Sequence, residues 1–169
     1  MATIGIFYGS ATGNTKDAAV QMKSALGDGA VDMQNIAGAT AETMKAFDIL
    51  IFGTSTWGFG DMQDDWASFQ SELGKVDWTG KRVALFGLGD QYGYADTFVD
   101  AMGLLYEALV AQGARVVGAW AGQDYEFESS CAHRDGSFVG LALDADNQPN
   151  LTAARIQQWV DMLKRELGL

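Results

Sequence analysis

Thr3-Ile4-Gly5-Ile6-Phe7-Tyr8-Gly9-Ser10-Ala11-Thr12-Gly13-Asn14-Thr15 reads as a strand, a break and the start of a helix in quick succession. The apolar run at 3–8 is the strand. From Asn14 to Leu26 the residues Ala18, Ala19, Met22 and Leu26 recur at helical spacing. The pattern then repeats down the chain. Ile49-Leu50-Ile51-Phe52 and Val83-Ala84-Leu85-Phe86 are continuous apolar runs ending at Gly53 and Gly87, as strands buried on both faces should be. Residues 30–33 form a short strand candidate and Val116–Trp120 a fifth. Between them, Trp66, Phe69 and Leu73 mark one helix, and residues 97–112 read as another, apolar nearly all round and therefore buried. Ile156, Trp159, Val160, Leu163 and Leu167 form the cleanest stripe, with Thr152 placed to cap that helix. Alternation of this kind implies a doubly wound α/β fold, a parallel sheet with helices on both faces. Residues 121–138 break the rhythm, being polar and aromatic without a helix period, and 139–143 are apolar again.

The chain has 169 residues, which fits a single domain over 1–169, and its 48% apolar and 20% charged residues are those of a globular protein. Twenty-two acidic residues face 11 basic ones, for a formal charge of −11. That balance argues against nucleic acid and against an anionic membrane surface, and favours cationic partners. Cys131 and His133 are the only residues of their kinds. An internal disulfide, a cysteine-ligated zinc or iron–sulfur centre and a multi-histidine metal site are thereby excluded within one chain. The single proline, Pro149, marks no linker. No leader-like start and no apolar run near ~18 residues is seen, so the cytoplasm is the expected location.

Ligand sites on such folds lie at the carboxyl ends of strands. Three strands here end in unusual loops. Ser10-Ala11-Thr12-Gly13-Asn14-Thr15 offers hydroxyls, an amide and the free N–H groups of a helix start, a set of neutral donors suited to a phosphate or simply a capped turn. It is neither a P-loop nor a dinucleotide fingerprint. Thr54-Ser55-Thr56-Trp57-Gly58-Phe59-Gly60-Asp61 places a tryptophan among glycines, either packed into a neighbour or forming a flat wall for a planar ligand. Gly87-Leu88-Gly89-Asp90-Gln91-Tyr92-Gly93-Tyr94 supplies two more aromatics and a carboxylate, or a plain glycine turn with exposed tyrosines.

These three segments, with Phe138-Val139-Gly140-Leu141-Ala142-Leu143-Asp144-Ala145-Asp146-Asn147-Gln148, resemble the flavodoxins over the whole chain, and specifically the long-chain group. The resemblance implies a five-stranded parallel sheet of order 2-1-3-4-5, with 121–138 as the insertion that splits the fifth strand. It implies one non-covalent FMN and one-electron transfer rather than catalysis. Carried over, Ser10, Ala11, Thr12, Gly13, Asn14 and Thr15 hold the phosphate. Trp57 and Tyr94 cover the two faces of the isoalloxazine. Gly89, Asp90 and the backbone near Val99 meet its pyrimidine edge, Thr56 and Asp146 the ribityl chain, and Leu88 also belongs to the cofactor site. The Gly58–Phe59 peptide, with Gly60 after it, turns a carbonyl toward flavin N5. Asn14 stands where related sequences often carry a basic residue. The partners implied are basic-surfaced reductases and acceptors that bind briefly to a monomer. Nitrogenase is one such acceptor, and the loop after Trp57 lacks the insertion carried by a subset of nitrogen-fixation members.

A one-electron carrier must stabilise the half-reduced flavin and disfavour the fully reduced anion. One hydrogen bond at N5 is worth about 0.5–1.5 kcal/mol, and ~1.4 kcal/mol is about 60 mV for one electron, so a peptide flip is the right size to tune a potential. The anion would sit near Asp61, Asp64, Asp65, Asp90, Asp96 and Asp100, with no Lys or Arg in 54–74 or 83–114. Like charges in a low dielectric repel. An FMN-dependent quinone or azo reductase shares the fold and cofactor class, but no segment suggests its substrate pocket. A phosphoryl-receiver domain would need carboxylates where Tyr8-Gly9-Ser10 stand. A calcium loop at Asp144–Asn147 would have Arg155 at its twelfth position and is discarded.

Overall fold

The computed structural model describes residues 3–9, 13–57 and 60–169, with Asp28 and Trp57 described in their backbone only. Its centre is β3 (Ile49–Trp57), flanked by β1 (Ile4–Tyr8) and β5 (Arg82–Leu88), all parallel. β1 and the first half of β3 are buried throughout, as their unbroken apolar runs require of strands covered on both faces. β2 (Val31–Asn35) pairs outside β1, and its exposed Asp32, Gln34 and Asn35 suit an edge. Two short strands share the other flank of β5. β6 (Arg115–Val117) pairs with Arg82–Ala84, and β9 (Leu141–Leu143) pairs with Phe86–Leu88. The order in space is therefore β2-β1-β3-β5 and then β6 with β9. A two-residue strand, β4 (Asp61–Met62), folds back antiparallel on the end of β3.

Helices α1 (Asn14–Leu26) and α5 (Thr152–Leu167) pack together as one layer, and α3 (Asp64–Leu73) and α4 (Asp100–Ala111) as the other; α2 (Ala41–Met44) is a single turn. The stripe Ile156, Trp159, Val160, Leu163 and Leu167 is buried as read, and so are Trp66, Phe69 and Leu73. The α3 start is well provided for. The Gln63 side chain accepts from the N–H groups of Asp65 and Trp66, and Asp64 and Asp65 lie in the positive first turn.

Three local readings change. α4 begins at Asp100 and not at 97, because the chain turns through a left-handed residue at Val99 (φ 48°). It also exposes Leu104 and Val110, so it is not apolar-buried all round. Thr152 does not cap α5: a 3-10 turn at Pro149–Leu151 runs into the helix, so Leu151 holds the cap position, Thr152 is already the first helical residue, and its hydroxyl is buried with no partner. The 116–120 strand stops at Val117, where Gly118 (φ 81°) turns the chain away.

From there residues 118–140 leave the sheet. Trp120 exchanges backbone hydrogen bonds with Phe138 at 2.9 and 2.8 Å, and β7 (His133–Arg134) pairs with β8 (Ser137–Phe138). Phe98, Tyr125, Phe127 and Phe138 stack beneath the segment, with centroids 5.1–5.9 Å apart. Arg155 fastens it from α5. The residue is 6% exposed, and its guanidinium lies 4.0 Å from the Tyr125 ring centroid and donates to the carbonyls of Gln123 and Asp124 and to the Gln148 amide oxygen.

Candidate functional site

The carboxyl ends of β1, β3, β5 and β9 converge on a cleft of about 210 Å³ lined by Asn14, Thr15, Ser55, Thr56, Leu88, Gly89, Asp90, Tyr94, Ala145 and Asp146. Eight of these were singled out by the sequence: Asn14, Thr15, Thr56, Leu88, Gly89, Asp90, Tyr94 and Asp146. Gly13, Gly60 and Val99 were also expected at the site and are not among the lining residues. Gly13 and Val99 adjoin the lining residues Asn14 and Gly89, while Gly60 packs against α4. Gly13 (φ 92°) precedes α1, and its carbonyl accepts the Asp17 N–H at 2.9 Å. Gly60 (φ 94°) packs against Asp100, whose carboxylate would lie 2.9 Å from any added Cβ. Val99 is fully buried, and its nitrogen would lie 2.9 Å from a Cβ on Gly89. Ser10, Ala11, Thr12, Gly58 and Phe59 lie outside the described residues, as does the Trp57 side chain.

Each loop is set by its own residues. Asp90 closes a turn by accepting the N–H groups of Tyr92 and Gly93, and takes the Asn147 amide as well. The Gly93 N–H is the largest influence holding its carboxyl below the ordinary value; burial opposes it, and Asn147 and the Tyr92 N–H add to the lowering. Asp146 is pushed the other way, chiefly by burial and then by the carboxylates of Asp90 and Asp144. Tyr94 is 47% exposed at the rim, as a ring waiting to cover a flat ligand would be. Thr56 Oγ1 accepts the Ala101 N–H at 3.1 Å and so ties β3 to the first turn of α4.

Ser55 and Ala145 were missed. Ala145 carries no signal in sequence. Ser55 lies between Thr54 and Thr56, and nothing in the sequence shows that it shares the cleft wall with Thr56. Its hydroxyl is buried without a hydrogen-bond partner. Such a group costs free energy unless something fills the need. A polar ligand in the cleft would do so. The only ion pairs among the described residues, Lys45–Glu42, Lys75–Glu72 and Arg134–Glu107, all lie away from the cleft residues. The donors that line it are neutral and its charged groups are acidic. A flat group bearing one phosphate and many hydrogen-bonding edges fits this set; a metal ion does not, and no metal-binding cluster occurs among the described residues.

The arrangement defines a class, the parallel α/β proteins that bind a ligand where strand order reverses. The comparisons narrow it. The family model described as flavodoxin matches residues 6–159. The chain is 47% identical to a flavodoxin from a Picosynechococcus species over the full length of both chains. It is 45% identical to flavodoxin 1 of Escherichia coli, covering 100% of this chain and 97% of that one. Among solved structures it superposes on the Fusobacterium nucleatum flavodoxin bound to flavin mononucleotide with a TM-score of 0.92 at 34% identity, covering 98% of this chain and 99% of the other. The chain belongs to the flavodoxin family.

Proposed function

We propose that the protein is a low-potential one-electron carrier that holds one FMN non-covalently and passes electrons between a reductase and acceptor proteins, nitrogenase among the candidate acceptors. The observation that carries this is the cleft itself, with its neutral donors, its acidic rim and the buried, partnerless Ser55 hydroxyl. FMN, when bound, supplies the redox chemistry. The chain's residues do the rest. Asn14 and Thr15, at the start of α1, serve the phosphate with N–H and hydroxyl donors. Thr56, Ser55 and Asp146 serve the ribityl chain, Leu88, Gly89 and Asp90 the pyrimidine edge, and Tyr94 excludes water from one face.

The carboxylates set the potential by repulsion. A unit charge about 10 Å away at an effective dielectric of about 20 is worth roughly 1.7 kcal/mol, or roughly 70 mV for one electron. Asp90 and Asp146 line the cleft, and no cation occurs in 54–74 or 83–114. The same surface offers brief docking to basic partners, with rates that fall as salt rises. The protein acts as a monomer of the long-chain group in the cytoplasm.

A visible spectrum of the purified protein during stepwise photoreduction tests the reading. The expected result is a bound yellow chromophore reduced in two separate one-electron steps, the second at low potential. A colourless protein that takes up no added FMN overturns it. Steady NADPH oxidation with a quinone and no added reductase would overturn it in favour of a reductase.

A further inference from the structure

Asp144, the residue after β9, is 0% exposed, yet no basic side chain bonds it. Five neutral donors hold it instead. Oδ2 accepts from the Gln91 N–H at 3.1 Å, the Gln91 side-chain amide at 2.8 Å and the Asn147 amide at 2.9 Å. Oδ1 accepts the N–H groups of Asp146 at 3.1 Å and Asn147 at 2.9 Å. Burying a carboxylate is costly, and it persists only where its lone pairs are this fully used. The donors belong to both loops that line the cleft. Gln91 follows Asp90, and Asp146 is itself a lining residue. The Asn147 amide also reaches Asp90 Oδ1 at 2.7 Å, so one side chain joins the two carboxylates.

Gln91 extends the network outward. It too is fully buried, and its Oε1 accepts the Glu126 N–H at 2.5 Å, while the Tyr92 hydroxyl donates to the Glu126 carboxylate at 3.0 Å. Glu126 lies in the segment that leaves the sheet. One buried amide therefore bonds Asp144, behind the cleft loops, on one end and that segment on the other.

We propose that Asp144 is a positioning residue that holds the 88–94 and 144–147 loops in their ligand-ready arrangement, and that Gln91 makes this arrangement depend on the 118–140 segment. Neither residue touches the cofactor in this scheme, which rests on the FMN reading above. Asparagine cannot replace the carboxylate. Its single oxygen can serve the donors on one side only, and its NH2 would then face either the two donors of Oδ1 or the three of Oδ2.

The test compares the wild type with Asp144→Asn, Gln91→Met and a control, Leu163→Ala, which thins the core on the α5 face away from the cleft. In the apo-proteins, amide hydrogen exchange is expected to quicken at least tenfold in both 88–94 and 144–147 for Asp144→Asn. For Gln91→Met it quickens in those loops and around residue 126 as well. Both variants should bind FMN at least tenfold more weakly and shift the first midpoint potential. Leu163→Ala should lose comparable thermal stability while keeping the wild-type FMN affinity and potential. Protection of either loop unchanged in Asp144→Asn, or an FMN affinity lost equally in Leu163→Ala, overturns the proposal. A wild type that binds no FMN sinks the functional reading instead, and leaves the exchange measurement to judge Asp144 alone. If Asp144→Asn does not fold, Gln91→Met carries the same comparison.

Discussion

Replacing Ser55 by alanine should move two quantities in opposite directions. The Ser55 Oγ is buried and has no hydrogen-bond partner in the protein. An unsatisfied buried polar group costs about 1–3 kcal/mol, so deleting it relieves the ligand-free protein by up to that amount, less the small loss of contacts from one atom. Each kcal/mol gained raises the melting temperature of a chain of this size by about 2–4 °C. Ser55 lines the cleft between Thr56 and Leu88, so in the FMN complex a turn about χ1 should bring the hydroxyl out of its buried position and onto the cofactor. Its loss then removes one hydrogen bond, about 0.5–1.5 kcal/mol, which weakens binding about two- to twelvefold. Calorimetry of the apo-protein and quenching of flavin fluorescence on titration measure the two effects. Ser55→Thr, which retains a hydroxyl, serves as the control. An apo-protein destabilised by Ser55→Ala, or an FMN affinity left untouched, would refute the assignment of this hydroxyl to the ligand.

Two other outcomes are expected. Gly89→Ala places a Cβ 2.9 Å from the Val99 nitrogen and 3.1 Å from the Phe98 ring. Backbone cannot yield as a flexible side chain does, so the variant should lose about 1–3 kcal/mol of stability and bind FMN more weakly; unchanged melting and affinity would count against the tight fit of that loop. The Cys131 thiol is pushed up to about 11 from 9.0, first by burial and then by Asp100 beside it. The neutral thiol is the favoured form, so at pH 8 it holds roughly a hundredfold less thiolate than an ordinary cysteine. Its reaction with a disulfide reagent should climb with pH through 9 and 10; a plateau below pH 9 would contradict this.

Much of this was legible in the chain. The apolar runs at 49–52 and 83–86 are buried central strands, as continuous apolar runs in a covered parallel sheet should be, and the loops after β1, β3 and β5 each give the cleft part of its wall: Asn14 and Thr15, Ser55 and Thr56, and Leu88, Gly89, Asp90 and Tyr94. What escaped notice depends on distant contacts. Arg155 stands between Ala154 and Ile156 with nothing in the sequence to name its partners, yet it is buried against Tyr125 and the carbonyls of Gln123 and Asp124. Asp144 looks like one more surface acid until Gln91 arrives from 53 residues away. Thr152 carries the residue type of a cap, but the turn begun by Pro149 places the helix boundary one residue earlier.

The two pieces of the outer strand meet almost end to end. Val117 stands opposite Ala84 and Leu141 opposite Phe86, so only the place facing Leu85 separates them along the ladder. At ~3.3 Å per residue a single amino acid spans that interval. Everything from 118 to 140 is thus a detour that starts and finishes at neighbouring rungs, and a chain that skipped it could run straight through without disturbing the register of the sheet. What such a shortcut would forfeit is the backbone donor that Glu126 gives to Gln91 and the rings of Tyr125, Phe127 and Phe138 that cover Phe98, so the detour returns to the scaffold in packing what it leaves in the ladder.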